Sequence, residues 1–494
     1  MVGTMIILAA GTAARAVEPI RLHPDNPHYF LFRGKPAVLI TSGEHYGAVL
    51  NLDFDYTLYL KTLESCGFNL TRTFSGAYCE PAGAFGIRNN TLAPAPGRLI
   101  CPWARSSSPG YNNGGNRFDL QRWDPEYFRR LRSFVAEAGR RGIVVELVLF
   151  CPFYEKTKGD AIWRLSPMNA ENNVNHIGNV PSAEVYTLKH ANLLQAQVAM
   201  VRRIVEELRD ADNVYYEICN EPYHGGVSPA WQDTIAETVA RTESALGTRH
   251  LIAQNIANKR GKIAEANPLV SIFNFHYAQP EAVVESYHLN KALADDETGF
   301  RGREPTPYRL EAWNFILAGG AVFNHLDYSF TCGREDGTAT SDAPGGGGPE
   351  IRRQLSVLKR FIEGFDFIRM RPALDVVTKL TPESTSLRLL AEPGRAYAGY
   401  LVGKGPVHLN LSLPGGTYQV EWLDPQTGRI QDTRTLRHEG HQDLSLRSPD
   451  FATDIAVRVV STTGKANQGE SSGAASPRTA RQESARVGRP AAPR

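Results

Sequence analysis

From Ile20 to Phe367 the apolar positions fall into short β-branched runs, separated by stretches whose apolar residues recur about every 3.6 positions. That alternation is the pattern of βα units around a parallel sheet. Eight runs read as strands: 37–41, 69–74, 143–150, 213–219, 250–254, 270–275, 291–296 and 321–324. A hairpin over 28–39, turning at Arg33-Gly34-Lys35, leads into the first. The helical period is clearest in Val185, Leu188, Leu194, Val198, Val201, Val205 and Leu208. Eight such units predict an α/β fold, a (β/α)8 TIM barrel.

Beyond Phe367 the pattern changes to short alternating strands between Gly/Pro turns, at 397–402, 407–411, 418–422 and 455–460. These predict a small antiparallel β-sandwich. From Thr462 onward Ser, Gly, Ala, Arg and Pro dominate, and such a segment has too little apolar surface to order itself. The expected organisation is an apolar N-terminus or signal peptide over 1–17, a barrel over 18–370, an accessory sandwich over 371–461 and a disordered basic tail over 462–494.

Composition narrows the function classes. Of 494 residues, 42% are apolar and 21% charged, and the formal net charge is only +2. The tail, with Arg478, Arg481, Arg486, Arg489 and Arg494, carries that excess, so the folded part lacks the basic balance of a nucleic-acid binder. No run reaches the roughly 18 apolar residues of a membrane helix. The opening MVGTMIILAAGTAARA holds an apolar run and an Ala14-Arg15-Ala16 cleavage pattern but no basic start, which favours export over cytoplasmic residence. Six scattered cysteines do not make a disulfide scaffold; Cys79 and Cys101 either bridge or stay free thiols, and Cys219 reads as core packing. Gly345–Gly348 lacks the Lys-Ser/Thr of a phosphate cradle and reads as a flexible loop, within a Gly-rich stretch from Thr331 to Pro349 that is expected to be able to move as a lid.

The candidate chemistry lies where strands end, since that rim carries the active site of such barrels. Strand four ends in Asn220-Glu221-Pro222, and strand seven in Glu297-Thr298-Gly299. Two carboxylates facing each other across one barrel mouth suit glycoside hydrolysis, one protonating the leaving oxygen and the other attacking or activating water. On strict alternation Glu217 points inward below Glu221, and Asp295, not Asp296, shares the direction of Glu297.

With Tyr215-Tyr216-Glu217-Ile218-Cys219-Asn220-Glu221-Pro222 as its strongest motif, the stretch from Ile20 to Phe367 resembles the clan A glycoside hydrolases. That resemblance implies Glu221 as acid/base, Glu297 as nucleophile, Asn220 on the sugar 2-hydroxyl, and Arg72 beneath the nucleophile. His276 and Tyr277 resemble the clan's residues that hydrogen-bond the nucleophile and line the sugar site. Gly319-Gly320-Ala321-Val322-Phe323-Asn324-His325, Tyr308-Arg309-Leu310-Glu311-Ala312-Trp313 and the turn Glu421–Gly428 look closer to the apiosidase-like group than to cellulases with a Trp platform. His325 joins the candidate site on that basis.

Glu44 and His45, just after strand one, are further candidates at the mouth. Two long loops, 75–117 and 151–182, carry aromatics suited to sugar faces, among them Trp103 and Trp163, although anchoring the loops to the barrel is an equal use for such rings. The histidines and Glu44 show no metal spacing, so neither metal nor other cofactor is expected. The expectation is a retaining glycoside hydrolase on a carbohydrate substrate, with a pocket in place of an open cleft. A non-catalytic sugar-binding barrel and a transglycosylase are the alternatives. The two carboxyls should stand about 5 to 5.5 Å apart, with the pKa of Glu221 raised by an ionised Glu297. Oligomeric state is left open.

Overall fold

In a computed structural model the chain is described over residues 18–154, 159–340 and 343–462. The N-terminal apolar stretch through residue 17 and the basic tail from 463 lie outside the described residues, as do 155–158 and 341–342 within the loops. Among the described residues, no helix is long and apolar enough to cross a membrane.

Eight parallel strands form one sheet: β1 (Leu39–Gly43), β2 (Leu70–Phe74), β3 (Val144–Phe150), β4 (Val214–Cys219), β5 (Ile252–Asn258), β6 (Ile272–His276), β7 (Ala292–Thr298) and β8 (Val322–Leu326). Each pairs with its neighbour in sequence, and β8 returns to β1 in unbroken register from Val322↔Leu39 to Leu326↔Gly43. The last seam, between β1 and β2, is stitched differently. Asn69 accepts from the Ile40 amide (3.0 Å) and donates to the Val38 carbonyl (2.8 Å), and at the upper end the Phe74 amide donates to the Tyr46 carbonyl (3.0 Å).

Around the sheet lie α1 (Tyr56–Ser65), α2 (Pro125–Arg140), α3 (Gly159–Trp163), α4 (Ala191–Leu208), α5 (Pro229–Leu246), α6 (Pro280–Ser286), α7 (Pro305–Leu317) and α8 (Pro349–Glu363). Five begin on proline, whose fixed φ and missing N–H suit the first helical position. Asp55, Asp124 and Ser228 cap α1, α2 and α5 by accepting from free amides of the first turn. Val185 and Leu188 precede α4, and Leu188 is exposed, so the helical period read there starts too early. Between β5 and β6 no helix forms, and the fifth unit is a bare connection.

The segment between β2 and α2 also differs from the loop expected. Trp103–Pro109 pairs antiparallel with Asn116–Trp123 across the turn Gly110-Tyr-Asn-Asn-Gly-Gly115. Three of those glycines take positive φ, which supplies the reversal.

The C-terminal part is two antiparallel sheets, six strands over three, enclosing Leu389, Leu401, Leu409, Leu411, Trp422 and Val457. The other face of the larger sheet rests on the barrel. Tyr400 stacks on Trp313 of α7 (ring centroids 5.1 Å), and buried Asp454 accepts from Arg309 through both oxygens (2.8 and 2.9 Å) and from Tyr400 (2.8 Å).

Candidate active site

At the C-terminal rim a cavity of about 450 Å³ opens among the loops after β1, β2, β3, β4, β6 and β7. Glu221 and Glu297 both line it. One carboxylate oxygen from each and a ring nitrogen of His276 lie within 4.8 Å of one another.

Arg72 organises the floor. Its guanidinium donates to Glu217 (2.5 and 2.9 Å), to Glu297 Oε2 (3.2 Å) and to Asn220 Oδ1 (2.8 Å), with Asp296 Oδ2 at 3.3 Å and Glu146 Oε2 at 3.7 Å. The Tyr46 ring lies 4.7 Å from its Cζ, a cation–π contact. Glu146, Glu217 and Asp296 have the spacing of a metal triad, but the Arg72 guanidinium lies among them and supplies the positive charge. At the mouth, a metal on Glu221, His276 and Glu297 would first have to displace the imidazole proton.

The two oxygens of Glu297 face different partners: Oε2 takes Arg72 and the Tyr46 hydroxyl (3.4 Å), while Oε1 takes the Tyr277 hydroxyl (3.4 Å) and faces His276 Nδ1 at 3.6 Å. Glu221 accepts from Tyr154 (2.8 Å), from His276 Nδ1 (3.1 Å) and from Tyr223 (3.3 Å), with His224 Nε2 at 3.5 Å. Asn220 Nδ2 in turn donates to the Tyr154 hydroxyl (3.0 Å).

These contacts set the protonation pattern. Burial pushes Glu297 up, and the nearby Glu221 charge adds to that against the pull of His276 and Arg72. Glu221 goes the other way: burial opposes ionisation, but hydrogen bonds from His224 and His276 outweigh it and hold the carboxyl well below the usual range. The expected upward shift of Glu221 is therefore reversed, because two histidines donate to it. Burial disfavours the imidazolium of His276, yet Glu297, Asp296 and Glu221 raise it to about 9. Asn255 Nδ2 lies 2.5 Å from Nε2 while its own Oδ1 has no partner. A half-turn of that amide gives the charged ring an acceptor.

The backbone is strained around this cavity. Of ten non-glycine residues with positive φ among the described residues, five line it: Tyr46, Phe85, Tyr154, Glu221 and Tyr277. Such conformations cost of order 1–3 kcal/mol each and concentrate at functional sites.

Arg72, Asn220, Glu221, His276, Tyr277 and Glu297 thus come together, with His45 on the cavity wall. Four other candidates do not reach it. Glu44 is buried, accepting from the Gly47 and Ala48 amides and the Thr91 hydroxyl, so its carboxylate ties down the β1 loop. Trp103, at the start of the hairpin, is wholly buried, and Trp163 packs on Phe153 with its indole N–H on the Val180 carbonyl. His325 spends Nδ1 on Ser42 (2.9 Å) and Nε2 on the Gly345 carbonyl (3.2 Å).

The walls are built instead by Phe74, Phe85, Leu92, Tyr154 and Phe300, with Glu80, His224 and Asn258. Alternation also misplaces the acids of β7. A bulge shifts its register between Asp295 and Glu297 against β6, so Asp296 turns inward to Arg72 and Asn274, while Asp295 faces Glu311 of α7.

The glycines of 345–348 also have a packing role. A Cβ on Gly345 would meet the Gly299 carbonyl, and one on Gly347 would meet Asp327, so these residues let the loop pack close behind Glu297. Cys79 and Cys101 are buried free thiols, and burial lifts Cys79 to about 12.

No protein-family model matches the chain, and no curated protein matches it. Solved structures show the shared fold. A putative glycoside hydrolase from Bacteroides vulgatus aligns over 90% of this chain and 82% of its own at 15% identity (TM-score 0.60). A family 5 glycoside hydrolase from the same organism aligns over 91% and 96% at 13% identity (TM-score 0.60). A further structure described only as a glycoside hydrolase aligns over 90% and 97% at 12% identity (TM-score 0.61). The similarity covers about nine-tenths of this chain and shows a shared fold, an eight-stranded TIM barrel followed by antiparallel β sheets.

Proposed function

We propose that the protein is a retaining glycoside hydrolase, with Glu297 as nucleophile and Glu221 as acid/base. The observation that carries this is the pair of carboxylates at one cavity, an oxygen of each within 4.8 Å of the other, each at the end of its own barrel strand. Retaining enzymes hold their carboxyls about 5 to 5.5 Å apart, whereas inverting ones leave about 6.5 to 9.5 Å for a water. The shared barrel with glycoside hydrolases supports the same reading.

Glu297 gains its nucleophilic form from Arg72, which donates to Oε2 and leaves Oε1 toward the cavity. The acid needs a proton, and His276 can supply it: Nδ1 of the imidazolium stands 3.1 Å from Glu221 Oε1. The three groups titrate as one unit. Sugar bound over Glu221 removes water from it and favours transfer of that proton onto the carboxyl. Glu221 then protonates the leaving oxygen as Glu297 attacks the anomeric carbon, and it later deprotonates the water that releases the sugar.

The loops after β2 and β3 meet above the site, where the Phe85 ring stands edge-on to Tyr154 (5.1 Å). That contact walls off one end and supports a pocket for a terminal or side-chain sugar. The test is twofold. Proton NMR of fresh product from an aryl glycoside should show the starting anomeric configuration, and a 2-fluoro glycoside should leave its sugar on the peptide containing Glu297. Inverted product, or label elsewhere, removes the assignment.

A further inference from the structure

A third carboxylate lines the cavity and has no part in the double displacement: Glu80, 6% exposed, on the loop after β2. Glu80 and Glu44 make an instructive pair, since both are buried and burial lifts both to about 7. Glu44 faces no cavity and is saturated by backbone amides and a threonine hydroxyl. Glu80 takes one side-chain donor on each oxygen, the Tyr78 hydroxyl on Oε1 (2.9 Å) and the Asn90 amide on Oε2 (2.5 Å). A carboxylate offers about four acceptor sites. Roughly half of its capacity is therefore unspent on a group fixed in orientation beside the reacting pair.

The surroundings say what it would accept. Among the described residues lining this cavity are Glu80, Glu221 and Glu297 but no lysine or arginine. Arg72 lies beneath and is spent on Glu217, Asn220 and Glu297. Burial, with Arg72 nearby, drops His45 to about 3, so it is neutral, and His224 is raised chiefly by its hydrogen bond to Glu221. Among the described residues, the cations nearest the cavity, His276 and His224, are already engaged by the carboxylates Glu221 and Glu297.

Resting on the glycosidase reading, we infer that Glu80 is a specificity-determining residue that accepts hydrogen bonds from glycone hydroxyls, restricting the pocket to uncharged sugars and rejecting uronic acids.

The experiment compares wild type, Glu80→Gln and Glu80→Asp on nitrophenyl glycosides of neutral hexoses and pentoses, their monodeoxy analogues and the matching uronides, with Tm followed alongside. Wild type should process neutral glycosides at least about 100-fold better than uronides. Removing one particular hydroxyl should cost wild type about 10- to 100-fold in kcat/KM, the range for a hydrogen bond to a charged group. That penalty should disappear in Glu80→Gln and persist in part in Glu80→Asp, with the loss carried mainly by KM. Equal deoxy penalties in all three folded proteins, or a preference for uronides, overturn the inference. So does tighter handling of an aminosugar, which would replace hydroxyl recognition by an ion pair.

If neither variant folds, the uronide comparison in wild type decides. If wild type hydrolyses no glycoside, calorimetry with the same free sugars separates the two ideas. Neutral-sugar binding lost in Glu80→Gln keeps the Glu80 site while the proposed chemistry falls, and absence of sugar binding removes both.

Discussion

The barrel mouth and the C-terminal sandwich are built on opposite terms. In the sandwich, strands alternate cleanly: Leu389 and Leu401 face its own core, while their neighbours Leu390 and Tyr400 face the barrel. Its apolar residues serve packing alone. The barrel floor instead buries Glu146, Glu217, Asp296 and Glu297 around a single arginine, leaving buried oxygens on Glu146, Glu217 and Asp296 without hydrogen-bond partners among the described residues. Acids crowded in a buried site resist ionisation, and their oxygens left without hydrogen bonds are costly. The site is thus held in an unfavourable electrostatic state by a scaffold whose stability comes from elsewhere.

The sharpest way to break this contrast is Glu297→Gln. Hydrolysis of aryl glycosides should fall by on the order of 10³-fold or more, while Tm stays level or rises because a crowded carboxyl has been neutralised. A Tm drop of many degrees would mean that Glu297 supports the fold and the contrast is misdrawn. Next in size is Asp454→Ala at the junction. It leaves the buried Arg309 guanidinium uncompensated, at a cost of about 3–5 kcal/mol. Denaturant unfolding should show that loss, while kcat of the folded fraction stays near wild type.

The smallest effect concerns pH. Glu44, Glu80 and Glu217 are each lifted to about 7 by burial, so between about 4.5 and 7 the folded chain keeps protons that the unfolded chain has released. Their contribution to stability is full below the unfolded pKa and is lost as pH rises through 7. His276, raised to about 9, adds a loss in the same direction at higher pH. Tm should therefore fall from about pH 6.5 to pH 9, above the range where the buried neutral His45 and His325 oppose the trend, and Glu44→Gln should flatten the part near pH 7. A Tm that climbs over that range would contradict the burial of these acids.

The eight strands were legible because fully buried parallel strands must be runs of Val, Ile, Leu and Phe, as in Val144–Phe150. The acids ending β4 and β7 were legible for the same reason: a charge interrupting such a run has few places to go. Asp296 was misread because alternation assumes regular pairing, and the bulge in β7 cannot be seen in residue types. Trp103 and Trp163 failed because a tryptophan that stacks on sugar and one that anchors a loop look alike in sequence. Phe85, Tyr154 and Glu80 come to the cavity from loops whose path depends on distant contacts. Only the Asn-Asn-Gly-Gly turn at 112–115 hinted that the first loop was structured.

The stitch made by Asn69 has a mechanical meaning. Seven of the eight strand-to-strand seams are ladders of two or more paired residues, whereas β1 meets β2 through the Asn69 side chain low down and through the Phe74 amide and Thr73 hydroxyl on the Tyr46 carbonyl above. A closed ring with one weak link has a built-in place to part. Local openings draw on the least stable parts of a structure, and on that ground the β1–β2 seam is where this barrel is expected to open first. Tyr46 and Arg72, one on each lip of that seam, would be the first contacts of the cavity floor to separate.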